Sequence, residues 1–117
     1  MVNGDSKKMY LLEILNGKWR ILIIEGLSSG TKQFKDLKSG IEGISSKSLD
    51  NNLQFLVKSG IVNRKKYPTF PCRVEYSLSD TGNKVLPMLD IIYDWSIKNY
   101  QPFKEEIIDE YSKIFKD

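Results

Sequence analysis

With 117 residues the chain has room for one domain and one hydrophobic core. Its 40% hydrophobic and 28% charged residues are ordinary for a globular protein, and no apolar run approaches the roughly 20 residues that span a bilayer. Histidine is absent and Cys72 is the single cysteine. This excludes the usual general base, an internal disulfide framework and a cysteine zinc cluster. The N-terminal apolar stretch MYLLEIL carries Glu13 and lacks a small-residue cleavage site, so it does not read as a signal peptide and a cytoplasmic location is expected. The net charge is +3, unevenly spread: residues 1–79 hold 13 Lys or Arg against 7 Asp or Glu, residues 80–117 hold 5 against 8. A basic front and an acidic, apolar end suit a chain whose first part meets a polyanion, although a solvated surface with segregated charges would look the same.

In chain order, Lys7 to Leu15 places Met9, Leu11, Leu12, Ile14 and Leu15 in a short helix that needs a cover, and Gly17 breaks it. The segment KWRILIIEGL, residues 18–27, is nearly continuous in apolar residues and predicts a buried helix at the centre of the core, ended by Gly30 as a C-terminal cap. Thr31 is then the expected N-cap of a helix carrying Phe34, Leu37 and Ile41 at helical spacing, with Lys32, Lys35 and Lys38 elsewhere on its surface.

The most informative stretch runs from Gly43 to Leu78. Ser45 reads as an N-cap, Ile44 staples onto Leu49, and Gly60 closes the helix in the left-handed conformation. At about 100° per residue, Leu49, Leu53 and Leu56 form one stripe, with Lys47, Asn51, Gln54 and Lys58 opposite. Amides pair with adenine in bidentate fashion and Lys with guanine or phosphate, so this outer face suits a major groove, as it also suits a plain solvated surface. We therefore take Ser45, Ser46, Lys47, Ser48, Asn51, Asn52 and Gln54 as candidate groove contacts. After Gly60 the period changes to two: Ile61 to Tyr67 and Arg73 to Leu78 predict a hairpin, with Pro68 and Pro71 bracketing its tip. Its cations Arg64, Lys65, Lys66 and Arg73, with Thr69, are candidate phosphate contacts, as are Lys32, Gln33 and Lys35 on the preceding helix. The same charges would protect a solvated edge strand.

Asp80 and Thr81 offer capping groups for a helix over 82–99, kinked or begun by Pro87, which is apolar on several sides. A last helix is predicted from Phe103 to Phe115. A second copy would cover such surfaces, with Met9, Leu12, Leu89, Ile92, Tyr93, Trp95, Ile107 and Tyr111 at the interface; a ligand pocket using Tyr93, Trp95 and Tyr100 is the rival reading. Residues 1–16 and 80–117 are thus expected as dimerisation helices around one DNA-binding domain. No Gly-rich phosphate loop, metal-ligand cluster or defined carboxylate pair is present, so neither enzyme activity nor a cofactor or metal is expected.

These residues resemble a family. GKW at 17–19, the spacing from Gly30 to Phe34 with Leu37, GIS at 43–45, SLDNNLQFLVKSGIV at 48–62 and RVEYSLSDTG at 73–82 look like the HxlR family of winged-helix transcription regulators, relatives of the MarR group. The resemblance covers residues 9 to about 100. It implies a mainly α fold with a small β-hairpin (α+β), a winged helix-turn-helix with added terminal helices. It also implies a homodimeric repressor or activator on pseudo-palindromic double-stranded DNA, with room for a small-molecule effector and no membrane partner. A winged helix serving protein or RNA contacts is the alternative. The chain departs from the family at Gln33, where an arginine is common, and at Asp50, where threonine is common. It also lacks the cysteine that several members carry before GKW. Cys72, beside Arg73, is instead a redox-sensitive thiol at the wing, an incidental cysteine or a packing cysteine.

Overall fold

The computed structural model describes residues 6–99. Five helices and a hairpin follow in the order α1 (Ser6–Ile14), α2 (Trp19–Gly26), α3 (Phe34–Gly40), α4 (Ser46–Lys58), β1 (Val62–Tyr67), β2 (Arg73–Leu78) and α5 (Asp80–Lys98). The helix expected over 103–115, with the interface residues Ile107 and Tyr111, lies outside the described residues, as does Tyr100.

One core joins these elements. Ile23, Ile24 and Leu27 from α2 and its end meet Leu37 of α3, Ile44, the stripe Leu49, Leu53 and Leu56 of α4, and Ile61, Val62 and Tyr76 of the hairpin. Each fully buried aliphatic side chain contributes about 1.5–3 kcal/mol of transfer free energy, so the α4 stripe holds that helix in one rotational setting. The helix ends are those expected. The Ser48 N–H donates to the Ser45 Oγ at 3.0 Å. At the other end Gly60, with φ +78°, allows its own N–H to reach the Val57 carbonyl oxygen at 3.1 Å and that of Ile61 to reach Leu56 at 3.0 Å. These two bonds form a Schellman closure that turns the chain directly into β1.

Other boundaries correct the sequence reading. α2 is buried on one side only: Ile23 and Ile24 are inside while Leu22 is exposed. It stops at Gly26, so Gly30 is not its cap but a turn residue at φ +133°. Nor does Thr31 cap α3. The backbone of Lys32 pairs with Tyr76 through bonds of 2.9 and 2.7 Å, which keeps the chain extended and delays the helix to Phe34. Gln33 becomes the N-cap, its N–H held by the Asp36 carboxylate at 3.2 Å. This bridge adds a third arm to the antiparallel β1–β2 hairpin, whose register runs from Val62 opposite Leu78 to Tyr67 opposite Arg73.

α5 begins at Asp80, and its cap is Ser79 rather than Asp80 or Thr81. The Ser79 Oγ accepts from the Gly82 N–H at 3.0 Å, and the Ser79 N–H donates to the Ile61 carbonyl oxygen at 2.9 Å. The helix runs on through Pro87 to Lys98. It sits so close to Ile61 that a Cβ on buried Gly82 would collide with the Ile61 carbonyl. Gly82→Ala should therefore lower stability by about 1–3 kcal/mol, because the clash outweighs the gain in helix propensity. Urea unfolding checks this; an unchanged or raised midpoint would mean that α5 is free to shift away from Ile61.

Candidate nucleic-acid interface

With the leucine stripe inward, the outer face of α4 is set by helical rotation. Ser45, Ser46, Lys47, Asn51, Gln54 and Lys58 are exposed, and Lys47, Asn51, Gln54 and Lys58 fall on one stripe along the helix. Asp50 is also exposed, and its carboxylate accepts from the Gln54 Nε2 at 2.7 Å. That bond ties up one end of the Gln54 amide. Beside the C-terminal half of α4 an open cleft of about 330 Å³ runs to the hairpin, lined by Asp50, Gln54 and Lys58 on one wall and Arg64 and Tyr76 on the other. The anion therefore faces the cleft rather than the free N-terminal end of the helix.

Two of the candidate groove residues are placed differently from expectation. Ser48 is half-buried beneath the cap, and its carbonyl oxygen accepts from the Asn52 Nδ2 at 2.7 Å. Asn52 is half-buried too, and its Oδ1 accepts from the Arg20 Nε at 3.1 Å. With both ends of its amide used inside the protein, Asn52 is a fastener of α4 and not an outward-facing reader. Arg20 is the residue that sequence reasoning missed. Its guanidinium stacks 3.8 Å from the centre of the Phe55 ring, donates to the Glu13 backbone oxygen and pairs with the Glu13 carboxylate at 3.2 Å. One side chain thus joins the end of α1, α2 and α4. Nothing in the local pattern after GKW signals a partner 32 residues away.

On the hairpin, Arg64, Lys65 and Lys66 are exposed along β1. Among the described residues Arg64 and Lys66 make no ion pair. Lys65 lies 4.8 Å over the Tyr67 ring; Arg73 lies 4.3 Å from the same ring and pairs with Glu75 at 3.4 Å. Arg73 is accordingly held against the hairpin itself, by Tyr67 of β1 and Glu75 of β2. At the tip the Thr69 hydroxyl donates to the Pro71 carbonyl oxygen at 2.9 Å, and the Phe70–Pro71 peptide bond is cis. Cys72 is exposed, with its Sγ 3.7 Å from the Tyr67 carbonyl oxygen, which removes the packing role considered for it. Of the α3 candidates, Lys35 is exposed, Gln33 is half-buried at the cap, and the Lys32 Nζ donates to the Ser29 Oγ at 3.0 Å.

The interface candidates on the terminal helices are exposed as well: Met9 and Leu12 on α1, and Ile92, Tyr93 and Trp95 on α5, whereas Leu89 is half-buried against the core. Between α1 and α5 lies an apolar groove of about 410 Å³ that includes Tyr10, Ile14, Val85, Met88, Leu89 and Ile92. Among the described residues no group of His, Cys, Asp or Glu is arranged to hold a metal ion, and no helix is long and apolar enough to cross a membrane.

A helix-turn-helix formed by α3 and α4, continued into a basic hairpin, defines a winged-helix transcriptional regulator. The chain belongs to the HxlR-like helix-turn-helix family, whose model matches residues 14–104. It is 41% identical over 96 residues to an HTH-type transcriptional regulator of Halalkalibacterium halodurans, covering 81% of this chain and 85% of that protein. Among solved structures, a regulator of Porphyromonas gingivalis W83 described as MarR family superposes with a TM-score of 0.73 at 37% identity, covering 85% of this chain and 97% of that one. The reduced form of the transcriptional regulator YodB from Bacillus subtilis gives 0.71 at 30% identity, covering 80% and 92%. These relatives are described as transcriptional regulators.

The Arg20–Asn52 contact implies a measurable coupling. Arg20→Ala, Asn52→Ala and the double variant, unfolded in urea, should show an interaction free energy of about 0.5–3 kcal/mol. Strictly additive losses would mean that the hydrogen bond does not hold α4 to α2.

Proposed function

We propose that this chain is a homodimeric, sequence-specific regulator of transcription that binds pseudo-palindromic double-stranded DNA. The observation that carries the reading is the outer face of α4, where exposed Lys47, Asn51 and Gln54 are backed by fully buried leucines. Amide and ammonium groups on a rigidly seated helix are the chemistry of base-edge contact in the major groove. Ser45 and Ser46 at its start suit a phosphate, which the helix N-terminus also favours. Arg64, Lys65 and Lys66 supply sequence-independent attraction to the backbone, with Lys35 on α3 as a further phosphate contact. Asn52 is left out of the reading set because its amide is already bonded.

Lys47→Ala and Asn51→Ala should each weaken binding to a preferred duplex by about 1–3 kcal/mol while leaving binding to random duplex much less affected. Lys65→Ala and Lys66→Ala should weaken both alike and reduce the salt dependence by about one phosphate each. Fluorescence anisotropy with a duplex selected by the protein, over a salt series, measures both. Equal losses on preferred and random DNA from the α4 variants would assign Lys47 and Asn51 to phosphate contact alone.

For the dimer, the support is the exposed apolar surface of α1 and α5 on either side of their shared groove. Monomers rarely leave so continuous an apolar surface in water, and a twofold axis would pair two half-sites roughly 34–36 Å apart. Ile92→Glu should shift the mass found in sedimentation velocity from dimer to monomer and weaken binding to a two-half-site duplex far more than to a single half-site. A dimer that persists unchanged would move the interface away from this face of α5.

A further inference from the structure

Asp50 is an exposed anion beside a face of α4 that otherwise carries Lys47, Lys58 and amides, and among the described residues it forms no ion pair. It bonds instead to a neutral side chain: the Gln54 Nε2 donates to the Asp50 Oδ2 at 2.7 Å. An ionised carboxylate has no proton to donate, so only the nitrogen end of the amide can face it. The pair therefore has a single polarity. Gln54 is held with Nε2 turned to Asp50, and its Oε1 has no partner among the described residues. Helical rotation puts Asp50 about 40° from Gln54, toward the leucine stripe, whereas Lys47 lies only about 20° from Gln54. Asp50 thus stands on the flank of the outer face and Gln54 within it.

We propose that Asp50 is a positioning residue that sets which bases Gln54 reads: the pair offers hydrogen-bond acceptors to the major groove and selects, on the strand it faces, a base carrying an exocyclic amine, adenine or cytosine. This rests on the reading of α4 as the major-groove helix. An unrestrained glutamine can turn its amide end for end. It can then accept from the amine of adenine or cytosine, or donate to O6 and N7 of guanine or O4 of thymine. Committing Nε2 to Asp50 holds the amide in its accepting orientation. The carboxylate also adds a negative charge that repels guanine O6 and N7 and thymine O4. Both effects have the same sign. A bond that served only to support the helix would act on α4 as a whole, and could not favour one base over another at a single position.

The test uses the full chain, a consensus duplex that the wild-type protein selects from a random-sequence pool, and competition by duplexes with each base pair changed in turn. The position read by Gln54 is the one at which Gln54→Ala loses discrimination. There the wild type should prefer adenine or cytosine over guanine and thymine by roughly tenfold, as one good base contact provides. Replacing that base by its analogue without the amine, purine for adenine or 2-pyrimidinone for cytosine, should weaken binding by a similar factor. Asp50→Ala should bring the preference close to one, through gains on guanine or thymine, while positions read by Lys47 and Asn51 keep theirs. Asp50→Asn, which can accept through Oδ1 or donate through Nδ2, should fall between. A preference for guanine or thymine at the Gln54 position, or a preference unchanged in Asp50→Ala, would overturn the positioning role alone. So would a Gln54→Ala variant that discriminates everywhere as the wild type does, or an Asp50→Ala loss spread evenly over all positions, which marks general weakening of α4. A wild type that selects no consensus would overturn the positioning role together with the reading of α4.

Discussion

Burial of Leu49, Leu53 and Leu56 against α2 is the constraint on which the rest of this protein depends. A helix with one narrow apolar stripe has a single low-energy rotation about its axis, because any other would place leucines in water and Lys or Asn in the core. That rotation decides which side chains face outward before any ligand arrives. It also fixes the direction in which the Gly60 turn launches β1, and so where the hairpin stands relative to α4. Helix face and wing form one rigid unit, since the same packing sets both.

Polar contacts refine this placement. Arg20 reaches Glu13, Phe55 and Asn52 together, so the rotation and axial position of α4 are tied to α1 and α2 by directional bonds as well as by oil-like packing. The Lys32–Tyr76 bridge does the same for α3 against the hairpin, and Tyr10 adds a bond from α1 to the Ser59 carbonyl oxygen at 2.9 Å. On the far side Gly82 permits α5 to close on Ile61, the residue that follows the α4 turn. The outer face of α4 and the apolar face of α5 are therefore linked through a few residues around Gly60, Ile61 and Ser79. α5 thus meets the root of the hairpin through backbone contact at Ile61.

Much of this was legible from residue order. The Ser45 cap, the leucine stripe and the Gly60 stop lie within one helix, where local hydrogen bonding and 3.6-residue periodicity govern the outcome. The alternation of Val74, Tyr76 and Leu78 revealed the second strand for the same reason. Misplaced boundaries were those decided at a distance. Thr31 is a good cap in isolation, but the pairing of Lys32 with Tyr76 passes the role to Gln33. Asp80 and Thr81 are plausible caps, yet Ser79 is the one anchored to Ile61. Asn52 resembles Asn51 in sequence and differs only by a rotation of about 100°, enough to aim it at Arg20.

What the sequence by itself determined, over residues 6–99, is the set of elements, their order, the buried stripe and the basic character of the hairpin, because these follow from local propensity, periodicity and charge. Tertiary structure alone decided which polar groups are spent inside the protein and which stay available. Asn52 and Arg73 are engaged, Gln54 is half engaged, and Lys47, Asn51, Arg64 and Lys66 are exposed. It also decided that Phe70 stands clear of the core and that α5 meets Ile61 through a glycine. The physical reason is that availability depends on neighbours far away in the chain, and only folding brings those neighbours within hydrogen-bond or van der Waals reach.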